Sequence, residues 1–537
     1  MTAKLVSAQT NDFEVEKLAS LAKVWGYLKY YHPTVAKGTY NWDEELVVHI
    51  RQLANIHNKE ELSKFYMQWI SSIGKVPVCK KCNVVVPDSM SKNLNLDWIK
   101  DQTSFSDSLI TVLKYIRQNR NTGSNHYIKT YPIGNVMLTE NPYPGYVYPS
   151  YEYRLLSLFR YWNVINYFYP YKYTIGEDWN KVLTEMIPKF NNAKDTIAYH
   201  LAMQKLVNKL NDSHAFFFTP YIDAYIGKYY APLKLKIIDG QVLVVGYGSY
   251  ILPVKDELEY GDKIIKVDGK EISQVLKERL LISYGSNEPT RIKNASAILL
   301  NGSTILGQVT FERNGIVQTK EIRRYLYESL KRERAVDRRA WKILPGNIAY
   351  VDMLNLSIDS INSTMKALLD TKAIVFDLRT GAQPNVQYLI ARYLNNKAVP
   401  SANFNYPSMN YPGTYVFKQN PYAGSKNKNY YKGKVVLLVN EYTQSLGEFS
   451  AMVLQTAPNV ITIGSQTAGA DGNVSSITFP GGYSSYISGL GFYYPDGTET
   501  QHKGVKIDII CKQTISGILN KQDEVLNRAL TYIQNEK

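Results

Sequence analysis

The stretch Val435–Val474, VVLLVNEYTQSLGEFSAMVLQTAPNVITIGSQTAGADGNV, constrains this chain more than any other. Val435–Val439 is an unbroken apolar run rich in β-branched residues, which suits a strand buried on both faces. Asn440–Thr443 reads as a turn. Leu446, Phe449, Met452 and Val453 then recur at helical spacing, with Glu448 in the first turn, where the helix dipole favours an acid. Ser445 therefore falls at a strand-to-helix junction, where unpaired backbone N–H groups can stabilise developing negative charge. On spacing alone two readings stand. Ser445 caps the helix, a role serine favours, or it is a nucleophile.

The segment NEYTQSLGEFSAMVL resembles the nucleophile segment of the C-terminal-processing (tail-specific) serine peptidases, whose pattern is N-x-x-[ST]-x-S-x-x-E. The likeness continues in order through TIGSQTAGA, YYPDG and KGVKIDI and covers the C-terminal half of the chain. It implies an enzyme, a hydrolase of the serine peptidase type acting on protein or peptide substrates, with Ser445 as nucleophile. Two ways of activating the serine occur in that family. The tail-specific branch uses a lysine in a T-[FY]-G-K-G context, but Ala470 stands where that lysine would be. The tricorn-core-like branch uses a histidine in a D-[GS]-H element, and Asp212-Ser213-His214 fits it. That likeness implies His214 as general base and Ser213 as the serine that orients it. The same branch has a glutamate shortly before a G-V-x-P-D segment. Here Gly504–Asp508 reads GVKID, Gln501 stands at the expected place, and Glu499 lies two residues earlier, on the same face of a strand. Gln501 or Glu499 is thus expected to assist the base, and His502 to be exposed. The D-L-R element (Asp377–Arg379) is followed by Gly381, whose backbone N–H is assigned to the oxyanion hole with that of Leu446. Glu448 reads as a structural acid that compensates the helix dipole.

A serine hydroxyl needs a base that is held in one orientation. The departures at Gly381, Ala470 and Gln501 leave an alternative: a catalytically weak or inactive peptide- or polymer-binding envelope protein on the same scaffold. No cofactor or metal motif is read. Cys79 and Cys82 form one C-x-x-C without a second pair or nearby histidines. They read as a local disulfide of an oxidising compartment or as two inert thiols, and Cys511 reads as a small buried residue.

The 537 residues suggest two to four domains. Lys and Arg number 62 against 47 Asp and Glu, scattered rather than clustered, which argues against a nucleic-acid partner. No apolar run is long enough for a membrane span. Val6-Ser7-Ala8 before Gln9 resembles the cleavage end of a trimmed export signal, so an extracytoplasmic, periplasmic location is expected. Oligomeric state is not legible.

The expected architecture is α/β multidomain. Residues 1–220 form a helical N-terminal region with an internal duplication over about 13–60 and 150–200. Leu21–Pro33 resembles Phe159–Pro170, with Trp25 matching Trp162, Tyr30 matching Tyr167, and Trp42 matching Trp179. These aromatics, and most of the 44 tyrosines, read as core. Residues 221–330 are β-rich, and YGDKIIKVDGKEI resembles the core of a PDZ domain, a fold that takes a peptide as an added strand. Residues 331–537 alternate strands and helices. They are expected to form an α/β (crotonase-like) peptidase domain with its chemistry at strand C-termini.

Overall fold

The structure is a computed structural model that describes residues 2–248, 258–330 and 339–535, with side chains not described for 2–11 and 419–420. Val6–Ala8 lies in the first turns of a long helix, its side chains outside the described residues, and the expected boundary at 330/331 adjoins 331–338, which also lie outside them. Cys79 and Cys82 are joined by a disulfide. Among the described residues no helix is long and apolar enough to cross a membrane.

The helical region is built on α1 (Thr2–Tyr31), α2 (Trp42–Gln52) and α3 (Lys59–Ile73), then α4 (Tyr151–Phe168), α5 (Trp179–Asn191) and α6 (Thr196–Asn208). Every side chain from Tyr153 to Phe168 is buried, so α4 has no solvent face and other elements must enclose it. Both α1 and α4 stop two residues before a proline, Pro33 and Pro170, because the residue preceding proline is pushed out of the helical region.

The two triplets repeat in their hydrogen bonds. Trp25 Nε1 donates to the Trp42 carbonyl (2.8 Å) and Trp42 Nε1 to the Trp25 carbonyl (3.0 Å). Trp162 and Trp179 make the same reciprocal pair at 2.7 and 3.0 Å. Lys17 donates to the carbonyls of Leu53 and Ile56 past the end of α2, and Arg154 to those of Phe190 and Asn191 at the end of α5. Ser20 meets the Tyr66 hydroxyl, and Ser157 meets that of Tyr199. Trp25/Trp162, Trp42/Trp179, Lys17/Arg154 and Ser20/Ser157 are all 137 residues apart.

The copies pack on each other about a pseudo-twofold axis. The Asn163 amide donates to the carbonyls of Ala22 and Phe159, equivalent positions in the two copies, at 2.9 Å each. Tyr30 and Tyr167, also equivalent, meet edge to face at 5.4 Å. Gly26 is the counterpart of Asn163, and a β-carbon on it would fall 1.9 Å from Asn163 Oδ1.

A smaller antiparallel sheet follows, in the order β1 (Leu233–Ile238), β2 (Gln241–Tyr247), β3 (Lys263–Val267), β4 (Leu306–Arg313), β5 (Ile316–Arg323). Its buried face carries Leu235, Val242, Val244, Ile264, Val309 and Phe311. Helices α7 (Ile272–Leu280) and α8 (Glu288–Ser296) cover it, and α8 packs against the edge strand β1.

The C-terminal domain is built on a six-stranded sheet in the order β6 (Trp341–Leu344), β7 (Ile348–Asp352), β8 (Ala373–Asp377), β9 (Lys434–Val439), β10 (Val460–Gly464), then Ile509–Ile510 at the edge. Only the β6–β7 pair is antiparallel. The central strands β8 and β9 are apolar on both sides because helices cover both faces, among them α9 (Leu446–Leu454) on one and α10 (Glu524–Asn535) on the other. After β7 a short 3₁₀ turn at Ile358–Ser360 leads into a helix over Ile361–Leu368. Cys511 lies just past the edge strand and is half-buried rather than buried. A hairpin of β11 (Val474–Thr478) and β12 (Ser484–Ser488) leaves this domain and inserts Ile477, Phe479 and Ile487 into the helical core.

Gly26 costs the interior of α1 about 1 kcal/mol relative to alanine, yet alanine would collide with Asn163. Gly26→Ala is expected to lower stability by about 1–3 kcal/mol, and adding Asn163→Ala to recover part of that loss. Thermal denaturation of the two single variants and the double variant measures the coupling.

Candidate active site

Strand β9 delivers the chain to the turn Asn440–Gln444, and α9 leaves from it. Thr443 is fully buried and fixes this turn. Its hydroxyl donates to the Leu378 carbonyl (3.1 Å) past the end of β8 and accepts the Asn440 N–H (3.1 Å). Ser445 is the N-cap residue of α9 with φ 54° and ψ −117°, a backbone conformation that L-residues avoid. Strain of this kind at a strand-to-helix turn is how some hydrolases expose a nucleophilic serine, and it persists only where the surroundings enforce it.

Glu448 enforces it. Its carboxylate is fully buried and accepts the N–H groups of Ser445 (3.3 Å), Gly469 (2.8 Å) and Ala470 (3.0 Å) and the Thr467 hydroxyl. The Ser445 N–H also reaches the Ala470 carbonyl at 3.0 Å. Glu448 thus does more than compensate a dipole: it ties the serine turn to the Thr467–Ala470 segment. Burial raises its pKa, and the donors oppose that. Ala470 lies buried beneath the serine, so no lysine side chain issues from there.

His214 is brought to this segment by its neighbours. Gln444 donates to the Ser213 carbonyl (3.2 Å), and the Ser213 hydroxyl donates to the Ala468 carbonyl (2.9 Å). Ser213 and Ser286, from the loop between α7 and α8, exchange N–H to hydroxyl bonds at 2.7 and 2.8 Å. The Ser213 hydroxyl is therefore fully engaged with backbone and does not orient the imidazole. Ser488, at the end of β12, does so: His214 Nδ1 lies 2.9 Å from its hydroxyl.

Asp212 completes the arrangement. It accepts the His214 N–H (3.0 Å), the Ser488 N–H (2.7 Å) and the Ser488 hydroxyl (3.0 Å), and lies 3.8 Å from Nδ1. Because the single Ser488 proton points at Asp212, the Ser488 oxygen must accept from Nδ1–H. Nε2 is then the ring atom with the free lone pair, and it is buried with no hydrogen-bond partner. Burial lowers the His214 pKa, and the Asp212 charge partly offsets this.

The other expected participants lie elsewhere. Gln501 is buried and donates to the Tyr169 hydroxyl (3.2 Å), and Glu499 accepts from Tyr173, so neither touches His214. His502 is half-buried between Thr174 (2.9 Å) and the Ser286 carbonyl (2.9 Å), not exposed. Gly381 does come beside the serine turn, its Cα 3.7 Å from where a β-carbon on Gly447 would stand. Its N–H, however, closes a turn onto the Leu378 carbonyl at 3.0 Å and is not free for an oxyanion. Leu446 is the first residue of α9, where the helix supplies no acceptor for its N–H.

A cleft of about 540 Å³ opens at this edge of the sheet, lined among others by Lys236, Tyr260, Arg379, Asn440, Ser465 and Asp523. Among the described residues no cluster could hold a metal ion.

Residues 347–511 match the sequence profile described as peptidase family S41. The C-terminal domain belongs to that family. The chain is accordingly a hydrolase of the serine peptidase type. No curated protein sequence matches it. Among solved structures, mature CPAF complexed with lactacystin matches at a TM-score of 0.58 and 13% identity, covering 72% of this chain and 99% of that one. Mature CPAF matches at 0.57 and 14%, with 72% and 98% covered. The photosystem II D1 C-terminal processing protease gives 0.40 and 18%, with 67% and 93% covered. The CPAF likeness is one of fold.

Asp471 follows Ala470, fully buried, with Oδ2 unpartnered. Burial, then the Glu448 charge, pushes its carboxyl well above the usual range. The folded protein thus binds this proton up to a higher pH than the unfolded chain, which releases it at about pH 4. This group's contribution is therefore greatest in acid and is lost as pH rises through the folded value. Relative to wild type, Asp471→Asn is expected to gain stability as pH rises from about 5 to about 8, read by denaturant unfolding at the two pH values.

Proposed function

We propose that the S41 domain is a serine endopeptidase in which Ser445 attacks the substrate carbonyl and His214 Nε2 takes its proton. The observation that carries this is the histidine. Its Nδ1 is tied through Ser488 to Asp212, its Nε2 is left without a partner, and its loop is bonded to Gln444, the residue before the strained serine. The Ser488 hydroxyl fixes the tautomer, and the Asp212 carboxylate stabilises the imidazolium that forms, the duty an orienting acid performs in serine hydrolases. The Leu446 N–H supplies an oxyanion donor at the positive end of α9. Nε2 has no hydrogen bond in the free enzyme, and such contacts commonly tighten only when substrate is bound.

The small β domain is read as PDZ-like. Strand β1 is a sheet edge with α8 beside it, the arrangement in which an extended peptide adds as a strand. Lys236 of β1 pairs with Glu441 (3.1 Å) in the serine turn, so a peptide on that edge would be led toward Ser445 across the cleft. The Cys79–Cys82 disulfide supports an extracytoplasmic, periplasmic location.

A fluorophosphonate probe is expected to label Ser445, with labelling lost in Ser445→Ala and His214→Ala. The rival base is Lys293, whose ammonium lies 5.5 Å from the Tyr442 ring and whose pKa burial lowers. Loss of labelling in Lys293→Ala with retention in His214→Ala would overturn the histidine assignment. Asp212→Asn is expected to lower kcat/KM by about 10²–10⁴-fold. Because the base works as neutral imidazole and its pKa is lowered, the acid limb of the wild-type profile should fall below the ordinary histidine value of about 6.5.

A further inference from the structure

His214 stands in a turn, and the run that follows it, Ala215-Phe216-Phe217-Phe218, alternates in and out of the protein. Ala215 and Phe217 point inward and are buried, Phe217 against Phe479 of the helical core. Phe216 and Phe218 share the opposite face, and a tight turn in which the Phe216 N–H donates to the His214 carbonyl (3.0 Å) joins them to His214. From His214 outward exposure climbs from 6%, through a half-buried Phe216, to 64% at Phe218.

Two further rings close on this face. Tyr486 of β12 lies 4.7 Å from Phe216, and it is two residues before Ser488, the partner of His214 Nδ1. The pairs His214–Ser488 and Phe216–Tyr486 thus stand side by side in one register. Tyr284, from the loop that also carries Ser286, lies 6.0 Å from both Phe216 and Phe218, and Phe216 and Phe218 are 5.3 Å apart. Four rings from the helical region, the β domain and the hairpin therefore form one continuous surface that starts at the base and opens to solvent. A core would bury Phe218, and a chance surface aromatic would not meet two other rings. Among the four, the only polar side-chain groups are the Tyr284 and Tyr486 hydroxyls.

We propose that Phe216, Phe218, Tyr284 and Tyr486 form the subsite for a large apolar side chain of the substrate, aromatic or long aliphatic, next to the scissile bond. An apolar shelf of this kind recognises shape and area, so it favours Phe, Leu or Met over Ala and rejects Asp, whose charge would lose its water there. This rests on the Ser445–His214 reading for the cleavage itself, but the recognition does not need chemistry to occur.

The test has two arms. In the first, kcat/KM is compared for peptides that differ only by Phe, Ala or Asp beside the cleaved bond. Wild type is expected to prefer Phe over Ala by roughly tenfold or more, and Phe218→Ala and Tyr284→Ala to shrink that ratio toward one. A ratio near one in wild type, or one unchanged in both variants, overturns the shelf. In the second arm, Ser445→Ala is titrated with the same peptides by calorimetry. Tighter binding of the Phe peptide that is lost on adding Phe218→Ala supports the shelf even if no peptide is cleaved. Absence of both labelling and cleavage in wild type would instead overturn the peptidase reading, while equal binding of all three peptides to Ser445→Ala overturns the shelf alone.

Discussion

One buried carboxylate holds the catalytic edge of this protein together. Glu448 is sealed from water, and a charge in that position costs several kcal/mol unless donors surround it. Four do, and they come from the serine turn and from Thr467–Ala470, two segments also joined by backbone bonds from Ser445 to Ala470 and from Ala468 to Thr443. The strained backbone at Ser445 is tolerated because leaving it would strand this acid. The same segment then receives Ser213 through the Ala468 carbonyl and Asn287 through the Thr467 carbonyl, so the base loop and the β domain are both assembled on it. A second buried acid, Asp471, feels both its own burial and the Glu448 charge, and the two together raise its pKa.

The duplicated helices give the base its place. In the second copy His214 stands six residues past the end of α6, and in the first copy Cys79 stands six residues past the end of α3. The same structural unit thus launches two different loops: one stapled by a disulfide, the other carrying Asp212, Ser213 and His214 into the site. The reciprocal tryptophan bonds and the Asn163 bridge lock the copies together, which makes the second loop a rigid arm rather than a tether. Hairpin β11–β12 is fastened to the same core by Ile477, Phe479 and Ile487, so Ser488 and His214 are positioned by one packed body.

How much of this is legible in the sequence depends on how local each signal is. The β9–turn–α9 unit is written in consecutive residues, and the doubled tryptophans are visible because the repeat preserves their spacing. The tie between His214 and Ser488 is not, since 274 residues separate them and no pattern marks a serine at the end of a hairpin. Asp212 is visible as the first residue of the D-[GS]-H element, but its place against Ser488 emerges only once β12 arrives beside it. Ser213 carried an expected orienting role by resemblance, but the neighbouring Ser286 claims its hydroxyl. Gln501 and Glu499 fail for a similar reason: the tyrosines of the helical region, Tyr169 and Tyr173, reach them first. Gly381 lies where expected, yet the direction of a backbone N–H in a tight turn is set by φ and ψ, which glycine leaves open.

The absence of an acid at position 501 bears on how the histidine is held. A glutamine there would leave an imidazole without a negative partner if the base were oriented from that side. In this chain the imidazole is approached from the other side, by a carboxylate on its own loop acting through a hydroxyl from a distant hairpin. Asp212 is bonded to the His214 N–H, and Ser488 bridges this carboxylate to the ring of a histidine only two residues along the chain. The negative charge beside the imidazole thus comes from Asp212 and not from the 499–501 segment. That segment instead bonds to the helical region through Tyr169 and Tyr173.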